Sequence, residues 1–448
     1  MTLSAIEALR QTYLPVRIEH MSTIADAAAA FLAALLAAPV DGDDDAARVD
    51  ELAVLERVKG AVAARQARVT DAFTRSQQAE LAAVGVAPAE VSRSVGAQVA
   101  LARRDAAARG DRHVGLARAL VRELPGVLGV LARGETTEWR ATLIVRETAH
   151  LPVEQRAQVD AAIADGLAGW GDGRTLREVR AWAQRLDPYG AAQRAAKAVG
   201  DRRVTIRPAP DCMTYLTALL PVKDGVAVYA ALHRAAMAGT AQGQEPRSKG
   251  QIMADELVRR VLTPGDGAAL VPGVEVHLVM TDRTLADADD EPGVVVGYGP
   301  VPAPLARDLA RADERTRVWV RRLYTDPTSG DLAGTDARRR DFPAVARTFL
   351  TVRDQACRTP WCGAPIRHAD HTVAVAKGGV TDLGNGNGRC ARCNLTKDLP
   401  GWATRTEDGR IVTTTPTGHR YTSRPPRPPA SRPWLPAIEI DLQWPGTG

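Results

Sequence analysis

The sequence predicts a multidomain protein: a mainly α N-terminal region carrying a small α/β part, followed by a C-terminal domain braced by zinc. Three observations predict it. Apolar residues recur at helical steps through the first two hundred positions, the period shifts to alternation after Asp201, and four of the five cysteines fall between Cys357 and Cys393. The chain of 448 residues, with 45% hydrophobic and 25% charged residues, is long enough for several cores and ordinary for a globular protein.

The helical part is read first. The run 27–38 is too short to span a bilayer and follows acidic residues rather than a basic segment, so a buried helix is expected there. Leu52, Leu55, Val58, Val62, Val69 and Phe73 recur at helical steps, predicting a helix with that stripe toward a core and Gly60 as a weak point. The pattern 90–108 continues to a stop at Gly110, and a helical hairpin over 113–149 is broken near Pro125 and closed at Pro152. Leu176, Val179, Trp182 and Leu186 form one more stripe, stopped by Asp187-Pro188.

From there the period changes. Val204 and Ile206, then residues 213–220, alternate and predict a strand pair; helices over 226–237 and 251–262 follow. Residues 274–280 and 318–324 are further strand candidates, and His277 is assigned no role. The segment 338–343 reads as a hinge and helix start, with a helix over 344–354 leading into Cys357. Two short strands flank Glu407-Asp408-Gly409, a hairpin signal. The Pro/Arg-rich stretch beginning at Arg424 is expected to be extended or disordered. The resulting division is a helical region 1–200, a mixed α/β part 201–335, a metal-bearing domain 340–418 and a tail 424–448.

Charge points to a polyanionic partner. The net charge is +5, yet residues 336–448 alone hold 17 basic against 10 acidic side chains. Positive charge therefore gathers around the cysteines, as contact with nucleic acid favours. No membrane partner and a cytoplasmic location are expected, and Cys212, alone before residue 357, implies no disulfide framework.

The cysteines form two knuckles, Cys357/Cys362 and Cys390/Cys393, whose spacing lets four thiolates converge on one tetrahedral ion, best Zn2+. Two disulfides are the alternative. Between the knuckles stand Asp370-His371 in the strand-like HADHTVAVA, a turn at Lys377-Gly378-Gly379, Asn385 fourteen positions after His371, and Asn394 nine further on. Alternation puts His368 on the other face, exposed and non-catalytic.

That joint spacing resembles the HNH endonucleases and their ββα-metal fold, in the version where asparagine replaces the last histidine. The resemblance implies a DNA endonuclease with His371 as general base, Asp370 and Asn394 holding Mg2+ or Mn2+, Asn385 fixing the histidine through the following turn, and a structural zinc on the cysteines. Lys377, Arg389, Arg392 and Lys397 are the basic residues placed to meet phosphates. The alternative is a zinc-stabilised nucleic-acid-binding module without catalysis. Upstream, WRATLIVRETAHLPVEQRAQVDAAI, DRRVTIRPAPDCMTYLTALLP and GVAVYAALHRAA resemble the helical domain of unknown function that precedes HNH modules in actinobacterial proteins, over roughly residues 20–330. Gly297-Tyr-Gly299-Pro is too short for a phosphate loop, and Pro300 removes a donor.

Overall fold

The computed structural model describes residues 23–38, 44–240, 247–262, 278–295, 298–311 and 344–426. The chain divides into two compact units: Met1–Leu186 with Thr396–Ala403 and Val412–Tyr421, and Asp187–Leu395 with Thr404–Ile411 and Thr422–Gly448.

The first unit is helical: α1 (Thr23–Ala37), α2 (Asp45–Ala83), α3 (Pro88–Ala102), α4 (Ala107–Arg122), α5 (Pro125–Ala132), α6 (Glu138–Thr148), α7 (Val153–Leu167) and α8 (Asp172–Leu186). Local chemistry sets the helix starts. The Asp44 carboxylate accepts from the Ala46 amide at 2.9 Å, the Thr137 hydroxyl caps α6, and proline stands in the first turn of α3 and α5. The core joins Leu120, Leu124, Val127, Leu131, Ile144, Val159, Ile163, Leu167 and Val179. Asp160 reaches into it from α7 and accepts from the Gly126 and Val127 amides at 2.7 and 2.8 Å, satisfying the buried N-terminus of α5.

Three expectations for this unit are corrected. Helix α1 forms, but its side chains are exposed rather than buried. The face that α2 buries includes Gly60, Ala63, Ala64, Ala67 and Thr70; of the expected stripe, Leu55, Val58 and Phe73 are half-buried, while Leu52, Val62 and Val69 stand 66%, 50% and 51% exposed. Small residues win that face because the neighbouring backbone comes close: a Cβ on Gly60 would lie 3.0 Å from the Gly134 Cα and the Thr136 carbonyl. Gly60 is therefore a packing residue. Gly110 likewise sits inside α4 instead of ending a helix, where a Cβ would fall 1.8 Å from the Gly96 carbonyl of α3. The stripe on α8 is borne out, with Val179 fully buried.

The second unit opens with α9 (Pro188–Ala198), capped by Asp187, and the antiparallel pair β1 (Arg203–Pro208) and β2 (Thr214–Leu219), in which Ile206 faces Leu216. Helices α10 (Val222–Thr240) and α11 (Lys249–Leu262) match the expected pair and pack on each other. A small antiparallel sheet follows, β3 (Leu278–Val279), β4 (Gly293–Val295) and β5 (Gly299–Val301), with α12 (Asp282–Leu285) between its first two strands and α13 (Ala303–Ala310) after it. The strand candidate 318–324, the hinge 338–343, His277 and most of the Pro/Arg-rich tail lie outside the described residues.

Helix α14 (Ala344–Asp354) has the expected bounds and buries Ala346 and Leu350 beneath Ala369 and Leu383. A hairpin, β6 (His368–His371) and β7 (Gly386–Arg389), precedes α15 (Ala391–Lys397). The strand expected through HADHTVAVA stops at His371, because the Asn385 side chain takes both the amide and the carbonyl of Val373, which a longer strand would need for its ladder. Strands β8 (Ala403–Glu407), β9 (Arg410–Thr414) and β10 (Arg420–Ser423) complete the described chain. Asp408 and Gly409, both at positive φ, turn β8 into β9 as a two-residue hairpin requires.

Candidate metal centre

Four buried thiols converge between the loop after α14 and the start of α15. The sulfurs of Cys357, Cys362, Cys390 and Cys393 all lie within 4.8 Å of one another. Cys362 Sγ is 3.8 Å from Cys390 Sγ and 3.6 Å from Cys393 Sγ. Sulfurs about 2.3 Å from a tetrahedral zinc are separated by about 3.8 Å, whereas a disulfide needs about 2.05 Å. The four thiols are unbridged and their spacing fits a zinc ion.

Each knuckle is shaped by its backbone. The Cys357 amide donates to the Ala364 carbonyl at 2.9 Å and Cys362 to Thr359 at 3.0 Å, with Trp361 and Gly363 at positive φ turning the loop. In the second knuckle the Cys393 amide points at Cys390 Sγ, 3.4 Å away. Hydrogen bonds from Cys362, then Cys390 and Cys393, hold the Cys357 thiol well below its ordinary value. Cys390 settles at about 6: contact with Cys357 pushes it up, and bonds from Cys362 and Cys393 draw it further down. Contact with Cys357 pushes Cys362 and Cys393 up. Four thiols so close divide the protons among themselves, and a divalent cation stabilises all four as thiolates.

Beneath the centre the polar groups interlock. The Asp354 carboxylate, fully buried, accepts from Arg353 at 2.8 Å, Arg358 at 2.9 Å and the Gly388 amide at 2.6 Å. Arg353 also donates to the Leu383 and Gly386 carbonyls, and Arg358 to that of Ser423. These bonds tie α14 to the hairpin. A Cβ on Gly388 would meet Ile366 Cδ1 at 2.4 Å, so a larger residue there would have to displace that side chain.

The hairpin carries the residues singled out in the sequence. His371 ends β6 opposite Gly386, and its Nε2 lies 2.9 Å from Thr381 Oγ1. Asp370 stands opposite Asn387, whose Nδ2 donates to the Asp370 carbonyl at 3.3 Å and to Thr372 Oγ1 at 2.9 Å. Asn385 clamps the connecting loop: its Oδ1 accepts from Val373 N at 2.8 Å, and its Nδ2 donates to the carbonyls of Val373 and Val380 at 3.0 and 2.7 Å. Gly379 fits beneath this clamp because a Cβ would lie 1.8 Å from the Val373 carbonyl. Asn394 lies within α15, its amide closing the bond to the Cys390 carbonyl at 3.0 Å, and its Oδ1 is buried without a hydrogen-bond partner. It does not occupy the N-cap position of that helix.

The basic residues separate. Arg389 is 1% exposed and turned inward, donating to Asn387 Oδ1 at 2.7 Å and Thr359 Oγ1 at 3.0 Å. Lys397 is 6% exposed, with Nζ 2.9 Å from the Asp398 carboxylate. Arg392 is half-buried in α15, and Lys377 closes the short turn Val375–Lys377. Sequence reading missed Asp354, Arg358 and Asn387 altogether. The one available signal was their position, Arg358 next to a knuckle cysteine and Asn387 in the asparagine run.

Comparison with known proteins identifies the helical part. Residues 50–354 match the model of Domain of unknown function (DUF222). The chain belongs to the DUF222 family. The match runs from α2 to the end of α14, so the four cysteines lie beyond it. The chain is similar to Uncharacterized protein Rv3776 of Mycobacterium tuberculosis, 28% identical over 442 residues, spanning 85% of this chain and 80% of that protein. It is also similar to Uncharacterized protein Rv2100 of the same organism, 27% identical over 455 residues, spanning 85% and 76%. No solved structure matches. Among the described residues no helix is long and apolar enough to cross a membrane.

Proposed function

We propose that this DUF222 protein is a metal-dependent DNA endonuclease of the HNH type, its nuclease domain built on β6, β7 and α15. The observation that carries the reading is the Asn385 clamp. Its three hydrogen bonds to Val373 and Val380 fix the loop leaving His371, and a fixed loop there supports a general base positioned at the strand end. The strand–strand–helix order and the adjoining four-cysteine centre support the same reading.

The buried, unpartnered Oδ1 of Asn394 and the carboxylate of Asp370 are the hard oxygens that would hold Mg2+ or Mn2+. Such an ion supplies polarisation of the phosphate and stabilisation of the departing oxygen. His371 takes a proton from water on an imidazole nitrogen, the water oxygen bonds to phosphorus, and the P–O3′ bond breaks with its electrons on the leaving oxygen. Arg389 and Lys397 are buried, so of the basic residues whose side chains are described the phosphate-facing role falls to Arg392.

The test is incubation of purified protein with supercoiled plasmid, with and without added magnesium or manganese. Metal-dependent nicking is expected, and His371→Ala lowers it by about 10²–10⁴-fold while the melting profile is retained. Unchanged cutting by folded His371→Ala removes the assignment. No cutting by the wild type leaves a zinc-braced nucleic-acid-binding module as the better reading.

A further inference from the structure

Next to the cysteines along the chain lies positive charge that neither the hydrolytic step nor DNA contact uses. Arg358 and Arg389 are 4% and 1% exposed, and the Arg353 side chain 13%. One carboxylate, Asp354, lies among them and binds Arg353 and Arg358. Three guanidinium charges against one carboxylate leave two positive charges in a buried region. Arginine does not escape burial by losing its proton, so such charge calls for a buried anion.

The partners seen for Arg389 are uncharged. Its Nε and Nη1 donate to Asn387 and Thr359, and its Nη2 is buried without a hydrogen-bond partner. Both arginines adjoin ligand positions: Arg358 follows Cys357, Arg389 precedes Cys390, and Thr359 belongs to the first knuckle. A zinc ion on four thiolates carries a net charge of two negative.

We propose that Arg389, with Arg358, is the counter-charge of the zinc–thiolate centre, so that two buried positive charges balance the doubly negative metal cage. The arginines then stabilise the four-thiolate form and hold the ion, as groups outside the ligand shell do in other metal sites. The surplus donor on Arg389 and its withdrawal from the surface have one explanation, which a phosphate contact does not give.

The inference rests on the centre holding zinc, so zinc per chain is measured first; wild-type protein purified without zinc removes that reading and the inference with it. The zinc-loaded full chain is then challenged with an excess of a chromogenic chelator. Arg389→Met keeps bulk without charge, and Arg389→Lys keeps charge without the fork to Asn387 and Thr359. Expected is release at least about 10-fold faster from Arg389→Met, with Arg389→Lys within about 3-fold of wild type, the scale on which groups outside the ligand shell act. Equal loss from both variants shows that the fork matters and not the charge, and overturns the inference. Wild-type release from Arg389→Met overturns it too. Where Arg389→Met does not fold, the lysine variant decides alone: near-wild-type retention supports charge balance, and fast release refutes it.

Discussion

Asn394 and Cys390 are four positions apart, joined by one backbone hydrogen bond, yet they offer different chemistry. The asparagine presents a buried oxygen, the cysteine a sulfur within the four-thiol cluster. On the proposed nuclease reading, hard and soft ions would partition between them. Asn394→Ala is expected to weaken magnesium-dependent cleavage, raising the metal concentration for half-maximal rate, while zinc by elemental analysis stays near one per chain, the stoichiometry of a four-cysteine site. Wild-type metal dependence in that variant places the ion elsewhere. Cys390→Ser is expected to act on the other side: zinc falls and the adjoining β6–β7 hairpin loses its protection from hydrogen exchange, because binding and folding free energy are shared in small metal domains. Retained zinc with normal protection means the ligand set is wrong.

Among the elements, α4 holds a pair of glycines whose spacing says opposite things. Gly110 meets the backbone of Gly96, with a hypothetical Cβ 1.8 Å from its carbonyl oxygen, while a Cβ on Gly115 meets nothing within 4 Å. Gly110→Ala forces α3 and α4 apart and is expected to lower stability by about 1–3 kcal/mol. Gly115→Ala relieves a mid-helix glycine and raises it by about 0.5–1 kcal/mol. Denaturant midpoints of the two variants give the comparison, and shifts of the same sign would refute this account of the α3–α4 contact. The same physics explains why the apolar stripe misled on α2: where helices approach this closely, alanine and glycine make the contact and leucine is left outside.

At the scale of the molecule, chain order and unit order differ. Segments 396–403 and 412–421 belong with the helical unit. There Leu399 and Trp402 pack with Ala97 and Leu101 of α3, the Trp402 indole donates to Ser94 Oγ at 2.9 Å, and Thr417 donates to Gln98 Oε1 at 2.9 Å. The family match ends at residue 354, so this helical core is completed by residues that lie beyond the matched stretch. Trp402→Ala is expected to destabilise the helical unit by about 3–5 kcal/mol, and Trp402→Phe, which loses mainly the hydrogen bond, by about 1 kcal/mol. Hydrogen exchange of the α3 amides reads the effect where it occurs. Unaltered protection of α3 in the alanine variant would mean that Trp402 is not part of that core.

Sequence alone determined what depends on local spacing. The bounds of α14 followed from a proline and an apolar pattern, the β8–β9 turn from Asp-Gly, the knuckles from cysteine intervals, and the strand pair β1–β2 from alternation. These are set by a few consecutive residues, and neighbours elsewhere do not change them. Tertiary structure decided which faces are buried and which charges have company. Leu52 went outward and Gly60 inward because of a backbone from α5–α6, and Arg389, basic and near the motif, turned in among Asn387, Thr359 and the buried carboxylate network of Asp354. Burial of a side chain is a property of what comes to lie against it, and a single helix or strand does not carry that information.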